Sequence, residues 1–447
     1  MRKKTMDKMF FVLGVVLFTW NPIQAQDTLA VSFEEAVALA LKNNTDHAIN
    51  VNNQRINKAN RQQAFFNNFP NAGINLNSQR VTGQQTQQVD DGFVVANFTN
   101  YVNSAGLGIN VPVFNMFRRI NTYKAERFRE SAGTFDLVRS EQVVMFQVAN
   151  QYLQVLLSQE LLEISEENLI NQKELLRQIE GYVEAGLRTL SDAYNQQSEV
   201  ARLEAVTYDA EIQLMNDVFL LAETMQMDQG WVPEVEPINM EVKPLGYDEL
   251  GLEELLEIAY EERPEVERDQ LLSQAFAKDI KALKAGFLPR ISAFYNYSSF
   301  STSIVERSFN QQFFEFNPNG VIGIGLEIPL FSNFQNKANL TRGKVSLENQ
   351  IISQDAMERK IYQEVRLAHA NYQASIKKLE TTAVQVKAAE EAEKVISERF
   401  RLGLNNFVDL AQANRQLVQA QSDYAQAIYT RYFQNIMLMF ALGNLEV

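Results

Sequence analysis

The chain has 447 residues, 46% hydrophobic and 21% charged, with no Cys and a formal net charge of −14 at pH 7. Such a length exceeds one compact core of ordinary design, so two domains or one extended architecture is expected. Without Cys there is no disulfide framework, no lipidated N-terminal cysteine and no thiolate metal site, and the acidic balance repels polyanions, which argues against a nucleic-acid partner.

Arg2, Lys3, Lys4 and Lys8 precede an apolar run from Met9 to Trp20, and Ala25 supplies a small residue before a cut, so residues 1–25 read as a removable export signal. That run is too short to span a bilayer as a helix, which takes roughly 20 residues. Removing the signal takes four of the 41 basic and one of the 55 acidic side chains, leaving 37 against 54 and a net charge of −17. No other stretch approaches about 18 consecutive apolar residues, so membrane insertion of the mature chain must use strands.

The first repeat, 26–228, opens with the amphipathic stretch SFEEAVALALKNN at 32–44 and a second helical stretch near 46–68. Strands follow near 71–78 and 104–113, separated by a polar stretch, QRVTGQQTQQVDDGF at 79–93, read as an outer loop. In the second strand Leu107, Ile109, Val111 and Val113 alternate with Gly106, Gly108, Asn110 and Pro112, the period of a two-faced strand. From 115 to 185 there is no Pro and little Gly, so one helix of about 100 Å is expected. The turn EAGLRTLSD at 184–192 leads into a helix over 191–228.

The stretch 229–251 carries three prolines and is read as a joint in an equatorial belt. Beyond it the pattern repeats over 252–447: a short helix at GLEELLEIAYEER, strands near 290–298 and 321–331, a long helix over 332–402, the turn RLGLNNFVD at 401–409 and a helix over 409–442. Ile361, Val365, Ala368, Tyr372, Ile376, Leu379, Ala383 and Val386 step by four or three, as a coiled-coil seam does. GLGINVPVF at 106–114 answers GIGLEIPLF at 323–331, and Gly186-Leu187 answers Gly403-Leu404, both at an offset of 217. The chain is an internal duplication with almost no insertion, far longer in period than a solenoid repeat.

Four strands with one lipid-compatible face cannot close a barrel, and an open sheet in lipid leaves edge amides unsatisfied. Copies must share a barrel; three of them give about 12 strands, with the helices continuing the cylinder below. These features resemble the outer-membrane efflux protein (TolC) family over essentially the whole mature chain. The resemblance rests on the duplicated arrangement, the strand-ending GxGxxxPxF at 106–114 and 323–331, the amphipathic opening helix of each half, and the Gly-Leu turns followed by Asp. It implies a mainly α-helical homotrimer with a shared 12-stranded β-barrel in the outer membrane and a periplasmic coiled-coil barrel. Its inner end would stay closed until a periplasmic adaptor (membrane fusion) protein and an inner-membrane pump of RND or ABC type dock.

Gly186 and Gly403 stand where long helices must stop, and Asp192 and Asp409 where the next helices start, so a helix cap or first-turn acid is one reading of each. In a trimer each Asp occurs three times near the axis, where like charges repel and focus cations. The resemblance makes Asp409 the candidate for a selectivity or gating ring, with Gln412 where relatives carry a second acid. Arg188 and Asp192 are candidates for links between turns, and Asn405 stands where some relatives have a basic residue. Gly186, Leu187, Gly403 and Leu404 are the candidate adaptor-docking tips. Gly106, Gly108, Gly323 and Gly325 are expected to face the barrel lumen and keep it open. His47 and His369 lie in separate helical segments and read as surface or packing residues; no catalytic constellation, metal set or cofactor motif is legible. The expected function is a passive exit duct for efflux or type I secretion; the alternative is a non-conducting coiled-coil structural or adhesive protein anchored by its strands. Outer-membrane lipid would surround the barrel in either case.

Overall fold

The computed structural model of the chain describes residues 27–90, 92–228, 230–238, 246–247 and 250–445. The expected export signal at 1–25 lies outside these residues, as does part of the 229–251 joint. In the first half, α1 (Phe33–Asn43) starts at Ser32, whose hydroxyl accepts from the Glu35 amide while the Glu35 carboxylate accepts from the Ser32 amide. Then come α2 (Thr45–Phe66), β2 (Asn71–Val89), β3 (Gly92–Phe114), α3 (Arg118–Glu184) and α4 (Leu190–Thr224), with β1 (Asp27–Val31) ahead of them. The second half holds α5 (Leu252–Glu262), α6 (Pro264–Lys284), β5 (Arg290–Thr302), β6 (Asn319–Glu327), α7 (Gln335–Arg401) and α8 (Phe407–Leu442), preceded by β4 (Trp231–Val235). Helices α3 and α7 have 67 residues each, about 100 Å at the α-helical rise. Among the described residues no helix is long and apolar enough to cross a membrane.

Each long helix runs beside two shorter ones set end to end. At the first joint the side-chain amide of Asn43 donates to the carbonyls of Met225 and Gln226, both at 3.3 Å, and the Thr45 amide donates to the Gln226 side chain. At the second joint α8 meets α6, with Gln142 donating to the Gly443 carbonyl at 2.6 Å. Gln226 and Gly443 both have positive φ, 49° and 87°, and stand 217 positions apart, so the duplication extends to the backbone of these joints. Parallel strands β1 and β4 flank the first joint, and the Tyr152 hydroxyl, 3.0 Å from the Val31 carbonyl and 2.8 Å from that of Glu236, pins them to α3. The main core gathers there, with Ala36, Val37, Val148, Tyr152 and Leu221 fully buried. A second core forms under α5 around Leu255, Ile361, Val365 and Leu438.

Three sequence expectations are corrected. Residues 79–93 do not form a long loop: β2 and β3 pair in unbroken register from Asn71↔Asn110 to Val89↔Gly92. Ladder hydrogen bonds are made by backbone groups, so glutamines continue a strand as readily as leucines do where both faces meet water. The hairpin therefore outreaches β5, whose pairing with β3 ends at Val102↔Thr302. Conversely β6 stops at Glu327, and 328–331 lie past its end, where Pro329 has no amide to give a ladder. The α7 seam also drifts: Ile361, Val365, Ala368 and Tyr372 are buried as expected, but the stripe continues through Ser375 and Thr382 rather than Ile376, Leu379 and Ala383.

Candidate functional site

The four-stranded sheet, in the order β2-β3-β5-β6, is all antiparallel, so registered partners share a face. Ile74, Leu107 and Tyr297 share one face with Leu76, Ile109, Tyr295, Ile322 and Ile324. Gly106, Gly108, Gly323 and Gly325 share the other with Asn75, Asn77, Asn110, Asn296 and Ser298. Among the described residues both edges, β2 and β6, lack a partner strand within the chain. The glycines differ in what they make room for. A Cβ on Gly323 would lie 2.7 Å from the Phe294 ring, so this glycine houses an aromatic ring from the same face. That corrects the expectation that it simply leaves the bore open. At Gly106, Gly108 and Gly325 the neighbours are small polar groups of Ser298, Asn296 and Ser292.

Where strand becomes long helix, both halves carry two consecutive non-glycine residues in the left-handed region: Met116 and Phe117 (φ 52° and 63°), then Asn333 and Phe334 (φ 48° and 61°). Such residues cost of order 1–3 kcal/mol each, so neighbouring contacts must fix the corner. Edge-on ring pairs close over it, Phe114 with Phe117 at 5.5 Å and Phe331 with Phe334 at 6.3 Å. The last Phe of each GxGxxxPxF stretch is thus half of an aromatic clasp.

At the opposite end both long helices stop in the same way. Gly186 (φ 70°) donates to the Val183 carbonyl and Leu187 to that of Tyr182; Gly403 (φ 77°) donates to Phe400 and Leu404 to Arg399. These are Schellman caps, and only glycine takes the left-handed position without strain. Leu187 and Leu404 are 71% and 73% exposed, far more than a cap needs, so each tip presents an uncovered leucine.

Neither aspartate is itself the N-cap; Thr189 and Asn406 are. Asp192 completes a capping box, its carboxylate accepting from the Thr189 amide at 3.2 Å and hydroxyl at 2.9 Å. Asp409 lies exposed one turn before exposed Gln412, three residues on and on the same helix face, and its carboxylate accepts from the Asn405 side chain at 3.1 Å. Arg188 does not pair with Asp192: it donates to the Phe400 carbonyl at 2.6 Å and lies 4.1 Å from the centre of the Phe400 ring. It ties the first turn to the end of α7 through groups that carry no charge, a cation at the negative end of a helix. Higher up, Glu199 on α4 meets Arg415 on α8 at 3.8 Å, a link the sequence spacing did not reveal. His47 contacts Ser140 and His369 contacts Gln373, on different helices.

The sequence reading also missed a buried ionic joint. Arg263, with 1% of its side chain exposed, lies 2.8 Å from Glu265 and 2.7 Å from Glu364, and its Nη1 is 3.5 Å from the Ala441 carbonyl. Arg139 reaches Glu265 at 2.8 Å and covers the Phe440 ring at 3.9 Å. Burial opposes the charge of Glu265, but Arg263 and Arg139 outweigh it and hold the carboxyl below its ordinary range. Arg263 occupies the helix-start position that Asn44 caps in the first half. The one available signal was this mismatch, a basic residue where a capping residue is usual.

A sequence profile described as "Outer membrane efflux protein" matches residues 37–223 and 255–444. The outer membrane protein TolC of Vibrio cholerae is 23% identical over 77% of each chain. A probable efflux pump outer membrane protein, TtgC of Pseudomonas putida, is 22% identical over 95% of this chain and 88% of its own. Among solved structures, the CmeC outer membrane channel of Campylobacter jejuni superposes with a TM-score of 0.79 at 14% identity, covering 92% of this chain and 85% of its own, which shows a shared fold.

Proposed function

The chain belongs to the outer membrane efflux protein family, and we propose that it forms the exit duct of a tripartite efflux or type I secretion system, passive and gated at its periplasmic end. One observation carries this reading: a four-stranded sheet with both edges open, apolar on one face and lined by glycine and amide side chains on the other. In lipid the edges must be paired, and closing three such sheets edge to edge yields about 12 strands around a polar bore. A merely anchoring barrel has no need of a bore face on which glycine, serine and amide side chains predominate over the few bulky ones such as Phe294. The long helices would carry the bore about 100 Å into the periplasm.

At the inner end, Asp409 from three copies would form a ring that favours cations, with Gln412 one turn above it. Opening would move α4 and α8 outward from their long partners, breaking the Arg188 contact with Phe400 and the Glu199 contact with Arg415. Exposed Leu187 and Leu404, held out by Gly186 and Gly403, suit an apolar contact with a periplasmic adaptor, whose inner-membrane pump supplies the energy. The proteins named above as efflux-pump components support this assignment.

Light scattering of protein extracted in mild detergent, corrected for bound detergent, tests the assembly: about 150 kDa, three of the 51.0 kDa chains, is expected. A stable membrane-bound monomer would refute the shared barrel. In planar bilayers D409N is expected to reduce cation selectivity or alter conductance, and unchanged values of both would remove Asp409 from the gate.

A further inference from the structure

On the bore face of the sheet the four strands carry only one pair of charges, Arg290 and Glu327, which neutralise each other with Nε donating to Oε2 at 2.8 Å. Just below, where strands become helices, a cavity of about 1270 Å³ opens against that face. Arg118 and Arg119, the first two residues of α3, line it together with Asn110, Ser292, Asn336 and the mutually neutralised Arg290–Glu327 pair itself.

Arg118 is exposed and Arg119 half-buried at the cavity wall. Among the described residues neither has a carboxylate within ion-pair distance, and Nη1 of Arg119 is buried without any hydrogen-bond partner. Burial and the neighbouring charge of Arg118 both push the Arg119 guanidinium below its ordinary range. They sit at the positive end of a helix whose first turn has no acid and whose N-cap, Phe117, offers no side-chain acceptor. Each of these features disfavours an arginine that stays empty-handed, and each would favour a bound anion. The rest of the chain is strongly acidic.

We propose that this cavity is an oxyanion subsite at the foot of the barrel, where Arg118 and Arg119 take up the phosphate, sulfonate or carboxylate group of a passing solute. The inference rests on the channel reading for calling the cavity part of a bore, and it specifies the cargo class: compounds bearing one or more oxyanion groups. Three copies would put six guanidinium groups around one level of the duct, between a neutral barrel and an acidic inner end. An anionic solute would then dwell at the barrel foot before leaving through a wall that offers it no further charge.

The test is calorimetric titration of the full-length protein in mild detergent with inorganic pyrophosphate at low salt. Saturable binding that weakens as salt is added is expected. R118Q/R119Q should weaken it at least tenfold, and R118K/R119K, which keeps the charge, should retain most of it. Because Gln removes like charges from a positive helix end, the double variant is expected to fold and assemble as the parent does, which light scattering checks. No saturable binding by the parent, or equal binding by the Gln variant, overturns the site. A trimer that does not bind pyrophosphate leaves the duct standing without the subsite; a monomer that binds it leaves the subsite standing without the shared barrel.

Discussion

Replacing Arg263 by Met isolates what the buried joint contributes. Met matches much of the length of the side chain but removes the charge, so Glu265, only 7% exposed, keeps Arg139 alone and Glu364 loses its closest partner. Breaking one partner out of a buried ionic cluster costs about 3–5 kcal/mol. The loss falls on the α6–α8 joint, because Arg263 also touches the Ala441 carbonyl and packs against Gly443, where even a Cβ would come within 2.8 Å of its Cα. Native-state hydrogen exchange reads such local opening, and 3–5 kcal/mol corresponds to roughly two to three and a half orders of magnitude in the exchange rate of amides near 252–270 and 436–445. Amides at the tips should not change. The sign of the pH dependence follows from Glu265: its carboxyl is held below the ordinary value of 4.5, so its contribution is present above that value and is lost as the pH falls through the folded one. The gap between parent and R263M should therefore narrow below about pH 4.5. Unchanged exchange at the joint in R263M at neutral pH would refute the idea that the ionic cluster holds α6 and α8 together.

In Gly403→Ala nothing lies within 4 Å of the new Cβ, so only the left-handed backbone at φ 77° is strained; a cost of about 1 kcal/mol, seen as faster exchange near the tip with the barrel unaffected, is expected. Gly323→Val should drive into the Phe294 ring and lower trimer yield, and adding Phe294→Ala should restore it; no rescue would mean that the glycine serves another purpose. Burial pushes the Tyr152 hydroxyl up to about 12, so its stabilisation is complete below pH 10 and fades between 10 and about 12; Tyr152→Phe should cost about 1–2 kcal/mol at pH 7 by thermal unfolding, a loss that diminishes in that alkaline window.

The duplication, the element order and the length of the long helices were legible in the sequence because they depend on local signals: proline-free periodic stretches, alternating strands, and Gly-Leu stops at an offset of 217. The strand faces were legible too, since a period of two assigns sides without knowledge of the partner strand. Where the reading went astray, a local signal was ambiguous. A glutamine-rich strand in water has the composition of a loop; for Asp192 and Asp409 the sequence left cap and first-turn acid both open, and each stands in the first turn. What only the tertiary structure decided were pairings between distant residues: Arg188 with Phe400, Glu199 with Arg415, Arg263 with Glu364, and the ring of Phe294 over Gly323. Sequence spacing fixes which face a side chain takes on its own helix or strand. Which partner that face meets depends on how α8 abuts α6 and how the strands register across the sheet, and those are properties of the packed chain.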